Sequence, residues 1–349
     1  MKRFNLILFL FGLVFLACLV GHIGVSEIWR ELGLLGWGLV PFIMGEGIAE
    51  MIHTIGWRYC LVEPYRSLSW WHLFQIRMAG YAINYLTPTA ALGGEATKVN
   101  LLAARQPGPD AVSGVLMEKM CFAGAQVLFV IIGSGFIVAE VHLPNSLWLP
   151  MLASVALVAT GILTFFLLQK YGKFGSLIRW LAARYPTNQT LQKMADQFTR
   201  VDEALRTFYR RHPRNLWLAV AWHLAGFSVG IFQTWYFFRL LNLPASLLTA
   251  SAVWFLGMWF DLLTFAVPLN VGSLEGSRIV VFKSVGFASL PGMTYGLATR
   301  LAQMFWACFG LTLYGLLTAR QRDLPMPSPN PATSRSASRS HQSVDPSIR

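Results

Sequence analysis

Apolar residues fill long, almost unbroken stretches of this chain, and polar residues gather between the stretches rather than alternating within them. Runs at about 4–22, 34–56, 111–139, 147–168, 214–240 and 293–318 are each long enough to cross a hydrocarbon core as one helix, since about 20 residues at 1.5 Å rise reach across roughly 30 Å. Two more apolar segments, about 70–105 and 247–288, are interrupted by Pro and Gly. Irregular backbone at membrane depth is tolerated only where it is buried or lines a wet cavity. Each segment therefore predicts a pair of short helices, as a re-entrant hairpin or an interrupted span. The pattern predicts an all-α polytopic membrane protein with about six full spans and two broken or re-entrant helix pairs.

The two interruptions echo each other. Pro88, Gly94, Glu95 and Lys98 lie in the first, and Pro268, Gly272, Glu275 and Arg278 in the second; Pro, Glu and base recur 180 positions apart. The same shift carries span 34–56 onto 214–236 and span 111–138 onto 291–318. Loop charges orient the halves. Lys2 and Arg3, Arg58, Arg66, Lys98, Arg105, the stretch 170–214, Arg320 and Arg322 belong on the cytoplasmic side, with both termini inside. The first broken segment is then entered from the cytoplasm and the second from outside, an inverted-topology repeat of the kind secondary transporters use. Repeat 1 covers about 1–140 and repeat 2 about 147–320, within a membrane domain of 1–322 that carries a basic amphipathic insert at 170–213. Phe174, Leu177, Ile178 and Leu181 recur at helical spacing in that insert, which suits a helix on the membrane surface. From 323 to 349 the chain turns to Pro, Ser and Arg and is expected to be disordered.

Composition narrows the class further. Of 349 residues 55% are hydrophobic and 13% charged, with a mean hydropathy of +0.50, against about 25% charged in ordinary soluble domains. The net charge of +12 does not point to nucleic acid, because the basic residues sit beside the spans. They suit anionic lipid headgroups at the cytoplasmic face instead. Cys18, Cys60, Cys121 and Cys308 are scattered singly and indicate neither a metal site nor a disulfide framework. Phe15-Leu16-Ala17-Cys18 approximates a lipoprotein cleavage box, but the N-terminal run fits the span count as a first helix. Tryptophans such as Trp29, Trp37, Trp57 and Trp217 flank the spans, as an interfacial belt does.

Charged groups within the apolar stretches are the candidate chemistry, since each costs about 2.5–3.5 kcal/mol at a helix centre. Asn84, Glu95 and Lys98 belong to the first break, Glu275 and Arg278 to the second, and Glu118, Lys119, Asp261 and Arg300 to other apolar stretches. Glu46, Glu50 and His53 fall on one face of the second span. Either these groups pair with one another or they line a polar cavity. Glu50-x-x-His53 is half of a di-iron carboxylate motif, but no second copy exists. No metal, cofactor, phosphate-binding loop or nucleophile motif is indicated.

These residues resemble a known family. Arg77-x-x-Gly80-x-x-x-Asn84-x-x-x-Pro88, then Gly93-Gly94-Glu95 and Leu101 to Arg105, are similar to the transmembrane domain of lysylphosphatidylglycerol synthases, as is Val267-Pro268-x-x-x-Gly272-x-x-Glu275-Gly276. Val201-Asp202 through Arg210-Arg211, and His223 to Gly226, look most like a hopanoid-biosynthesis-associated branch. Leu274 replaces the usual Gln before the second Glu, and Gln303 stands after Arg300 where an acid is common. The resemblance covers about 1–320. It implies translocation of a polar-headed or hopanoid-type lipid across or out of the bacterial cytoplasmic membrane, without the aminoacyl-transfer domain and so without enzymatic activity. The expected path residues are Asn84, Pro88, Gly94, Glu95, Lys98, Pro268, Gly272, Glu275, Arg278 and Arg300, with Glu46, Glu50 and His53 second. The alternatives are a non-catalytic scaffold for lipid-biosynthesis enzymes, or a membrane enzyme using Glu46, Glu50 and His53 as acid–base groups. Expected partners are the lipid itself, with a second copy or biosynthetic enzymes as further candidates.

Overall fold

The helices begin and end where Pro, Gly and polar residues interrupt the apolar runs. A computed structural model describes residues 24–86, 92–104, 109–140, 175–264 and 270–322, with Gly21 and isolated positions between 153 and 173. In chain order the helices are α1 (Val25–Leu35), α2 (Leu39–Cys60), α3 (Trp70–Leu86), α4 (Leu92–Ala103), α5 (Pro109–Glu140), α6 (Ser176–Arg184), α7 (Gln189–Arg211), α8 (Pro213–Leu240), α9 (Leu247–Leu263), α10 (Ser273–Ser284) and α11 (Ser289–Arg322). No strand occurs among the described residues. Four stretches are long and apolar enough to cross a membrane: Leu32–Cys60, Asp110–Ser134, Pro213–Leu240 and Ser289–Arg320. They coincide with four of the six predicted spans. The predicted span 4–22, most of 147–168, Phe174, Pro88, Pro268 and the tail from 323 lie outside the described residues.

The halves match element by element. α3 and α9 each have 17 residues, α4 and α10 each have 12, and α5 and α11 have 32 and 34. At 1.5 Å per residue α4 and α10 are about 18 Å long, too short to span a bilayer of roughly 30 Å. α4 instead folds back along α3. Asn84 meets Gly94 near the tip, and Gly80 lies against Lys98 further down. α10 returns to α9 through Arg278, which reaches Gly257 and Asp261. Both broken segments are helical hairpins.

α2 and α8 set the relative direction of the halves. Phe42 packs on Phe237, the Phe42 carbonyl accepts from Gln233, His53 meets His223, and Gly56 approaches Ala219. As the position on α2 rises, its partner on α8 falls, so the two helices are antiparallel. The first hairpin opens where α2 ends and the second where α8 ends, hence on opposite faces of the molecule. Packing is exchanged between halves: α3 lies against α11 of the second half, and α9 against α5 of the first. That reciprocity is the signature of a two-fold inverted repeat.

Each open end is closed by its own apolar cluster. Phe42, Phe237, Phe238, Phe282 and Tyr295 lead one, and Trp57, Leu73, Leu102, Val115 and Leu205 the other. The basic insert contributes to the second. Asn188 caps α7 by accepting from the Leu191 amide at 3.1 Å, and Val201, Leu205 and Phe208 then point inward. The apolar stripe of α7 packs on α5, with Ala195, Val201 and Leu205 buried against protein. Asp202 ties α6 to α7 by accepting from Arg179 at 2.5 Å and from the Gly175 amide at 3.1 Å.

Candidate functional site

The hairpin tips are built by side chains that satisfy helix-end amides. Asn84 Oδ1 accepts from the Gly94 amide at 2.6 Å, a cap supplied from the neighbouring helix. The helices can approach this closely only because Gly94 lacks a side chain: a Cβ there would meet the Gly80 carbonyl oxygen at 2.1 Å. In the second hairpin Gly272 takes φ +75°, a left-handed turn that favours glycine. Glu275, three residues on, accepts from the Gly272 amide at 3.0 Å and seals the start of α10.

Two polar networks grow from these tips. In the first, Arg77 donates to Glu50 and to Glu118, both at 2.6 Å. Lys98 pairs with Glu118 at 2.8 Å and with Glu95 at 2.6 Å, and Lys119 reaches Glu95 at 3.5 Å. Three carboxylates and three bases thus neutralise one another. Glu118, 2% exposed, is the shared centre of this network. In the second, Glu275 is fully buried and binds Arg300 through both oxygens. Arg300 also donates to the Asn270 carbonyl at 2.9 Å. Arg278 pairs with Asp261 at 2.7 Å. This network too is neutral, with two acids and two bases.

Near the tips, charged groups of the two halves come under each other's influence at two places. Arg300 hydrogen-bonds Tyr85, three residues before the first tip, while holding Glu275 and Asn270 of the second hairpin. Glu46 is the other: half-buried, it makes no hydrogen bond or ion pair among the described residues, and it lies in the field of Glu50 and Asp261 from opposite halves. Tyr81, stacked on Tyr85, feels Glu46 and Glu50 as well.

The predicted path residues are therefore divided differently from the expected single path through Glu95, Lys98, Glu275 and Arg278. Glu95 and Lys98 pair with each other in the first half, whereas in the second Glu275 pairs with Arg300 and Arg278 with Asp261. No ion pair among the described residues links one of these couples to the other. Arg300 and Tyr85 carry the connection. Glu50 and His53 share a face of α2 but diverge, Glu50 to Arg77 and His53 to His223. Among the described residues no group of three or more His, Cys, Asp or Glu is placed to hold a metal.

Sequence reasoning left Tyr85, His223 and Asp261 outside the site. Asp261 and Glu118 carried a signal, a lone charge inside an apolar run. Tyr85 carried none, because its role depends on Arg300, far away in sequence.

Two opposed helical hairpins enclosed by long apolar helices, with neutralised charge networks at their tips, define a polytopic membrane protein of the inverted-repeat class. The chain belongs to the lysylphosphatidylglycerol synthase TM region family, whose pattern residues 5–311 match. It is similar to a UPF0104 membrane protein of Methanocaldococcus jannaschii, with 20% identity over 290 residues covering 80% of this chain and 84% of that one. No solved structure matches it.

Proposed function

We propose that this protein moves the polar headgroup of a membrane lipid between the two hairpins while the acyl or polycyclic portion stays in the bilayer. The observation that carries this reading is the junction at Arg300, where the Tyr85 end of one hairpin meets Glu275 and Asn270 of the other. Hairpins that open on opposite faces and meet inside give a headgroup two half-paths and one gate. Tyr85–Arg300 is the cross-half contact that has to yield for passage. Glu46 adds a carboxylate not consumed by a fixed ion pair. The reaction makes and breaks no covalent bond, so the protein is read as a transporter rather than an enzyme.

The lipid class is polar-headed or hopanoid-type, the latter from the resemblance of residues 201–226 to the hopanoid-associated branch. The location is the bacterial cytoplasmic membrane. The end of α2, the first hairpin's opening and α7 then face the cytoplasm, in keeping with their basic residues.

The test is headgroup-labelled lipid scrambling in proteoliposomes. Tyr85→Phe removes only a hydroxyl and is expected to change the rate without lowering the melting temperature. Glu275→Gln is expected to abolish movement. Wild-type scrambling in both variants would refute the assignment. The thoroughness of ion pairing favours a second reading, a non-transporting scaffold for lipid-biosynthesis enzymes or a second copy. That reading expects no scrambling by the wild type and retention of partner enzymes on purification.

A further inference from the structure

A cavity of about 430 Å³ lies apart from both networks, between the end of α2, the start of α5 and α7. Its volume is within the range of small-ligand sites. Arg200, Thr207 and Arg211 line it from α7, with Glu203 beside them. Positions 200, 207 and 211 fall on one stripe of a helix with 3.6 residues per turn. Asp110 and Ser113 face them from the first turn of α5.

Two guanidinium groups and two carboxylates thus look into one cavity without meeting. Arg200 and Glu203 have the spacing at which helical ion pairs form, yet no ion pair among the described residues involves either of them, Arg211 or Asp110. This is not a general habit of α7, whose Asp202 pairs with Arg179 through Oδ2. Charges of both signs, held apart on two helices, complement a ligand that carries both signs itself. Arginine forks match phosphate oxygens. The carboxylates accept from an ammonium, and the Thr207 hydroxyl can serve either group.

The position suggests where such a ligand would come from. Asp110 begins one of the membrane-crossing stretches, and Ser113 is one turn deeper. The cavity therefore straddles the boundary between the apolar span and the polar insert, at the level of lipid headgroups. We infer that this cavity is a binding site for a zwitterionic head, a phosphodiester linked to a primary amine, as in an aminophospholipid. The inference goes beyond the translocation reading, because binding here requires no movement through the hairpins.

The experiment is native mass spectrometry of the purified full chain titrated separately with phosphatidylethanolamine, phosphatidylglycerol, phosphatidylcholine and water-soluble O-phosphoethanolamine. Phosphatidylethanolamine is expected to bind about tenfold more tightly than either other lipid, as one well-placed charge-assisted contact allows. Arg200→Gln with Arg211→Gln is expected to weaken it about tenfold or more. Glu203→Gln is expected to bring phosphatidylethanolamine down to the level of phosphatidylcholine and leave phosphatidylglycerol unchanged. Arg200, Glu203 and Arg211 are exposed, and unchanged melting temperatures will show that folding is intact. Binding of O-phosphoethanolamine as tight as that of the lipid supports the site and assigns it to a soluble ligand. Equal binding of the three lipids, or wild-type affinity in the arginine double variant, overturns the proposal.

Discussion

His53 and His223 face each other Nδ1 to Nδ1 at 3.0 Å where α2 and α8 cross. Both rings are buried, and Phe122 and Phe227 pack around them. One nitrogen must donate and the other accept, so at least one ring is neutral in this arrangement. The pair is a polar lock between equivalent helices of the two halves. Removing one ring nitrogen pattern strands the other, and a buried polar group left without a partner costs about 1–3 kcal/mol. His223→Phe and His53→Phe are each expected to lower thermal stability by that amount. The double variant should lose less than the sum of the two. Additive losses in a double-mutant cycle would show that the pair does not act as a unit.

Glu118 should be the least replaceable carboxylate. It accepts from both Arg77 and Lys98, drawn from the two arms of the first hairpin, so it fastens that hairpin to α5. Removing its charge leaves two buried cations sharing the remaining acids, at a cost of about 3 kcal/mol or more. Glu118→Gln is expected to lower the melting temperature in detergent markedly, whereas Lys119→Gln, whose partner is 3.5 Å away at a more exposed position, is expected to be nearly silent. Equal stability of the two variants would remove Glu118 from the centre of the network.

The contrast between these residues explains what the sequence could and could not disclose. Four of the predicted spans and the two hairpins were legible because bilayer thickness imposes a length on every apolar run and because Pro and Gly interrupt helices. The inversion was legible from charge beside the spans, and the pairing of Phe42 with Phe237 and Gly56 with Ala219 agrees with it. Intramembrane charges such as Glu118 and Arg300 could be noticed, but their partners could not. Pairing depends on which helices touch, and α3 packs against α11 rather than against its sequence neighbours alone. The amphipathicity of α7 was equally visible in the sequence. Whether its stripe met lipid or protein depended on the exposed flank of α5, which no periodicity discloses.

Gly94 tests the hairpin as a mechanical unit. An added methyl group would collide with the Gly80 carbonyl and with Asn84, whose oxygen also caps the Gly94 amide. α3 and α4 must then separate, with loss of the cap and displacement of Lys98 from Glu118. Overpacking of this kind costs about 1–3 kcal/mol, so Gly94→Ala is expected to yield a less stable protein that is more easily cleaved near the hairpin. Gly124→Ala, where a new Cβ meets nothing within 4 Å, is the matched control. Limited proteolysis that fails to distinguish the two would show that the hairpin tolerates separation.

Glu46 separates the transport reading from the scaffold reading more cleanly than any paired residue. Mutating Glu118 or Glu275 damages the fold and the proposed path together, since both are tied into hydrogen bonds. Glu46 has no such tie among the described residues, and the charges that act on it are the like charges of Glu50 and Asp261. Glu46→Gln therefore removes repulsion rather than attraction. It is expected to leave stability unchanged or raise it by up to about 1 kcal/mol. In a headgroup translocator the same variant should slow scrambling at least about tenfold, equivalent to about 1.4 kcal/mol on the barrier, because the carboxylate set between the halves is gone. In a scaffold it should have no functional effect at all. A stable Glu46→Gln protein that scrambles lipid at the wild-type rate would place Glu46 outside the path and leave Tyr85–Arg300 as the sole element of the proposed gate.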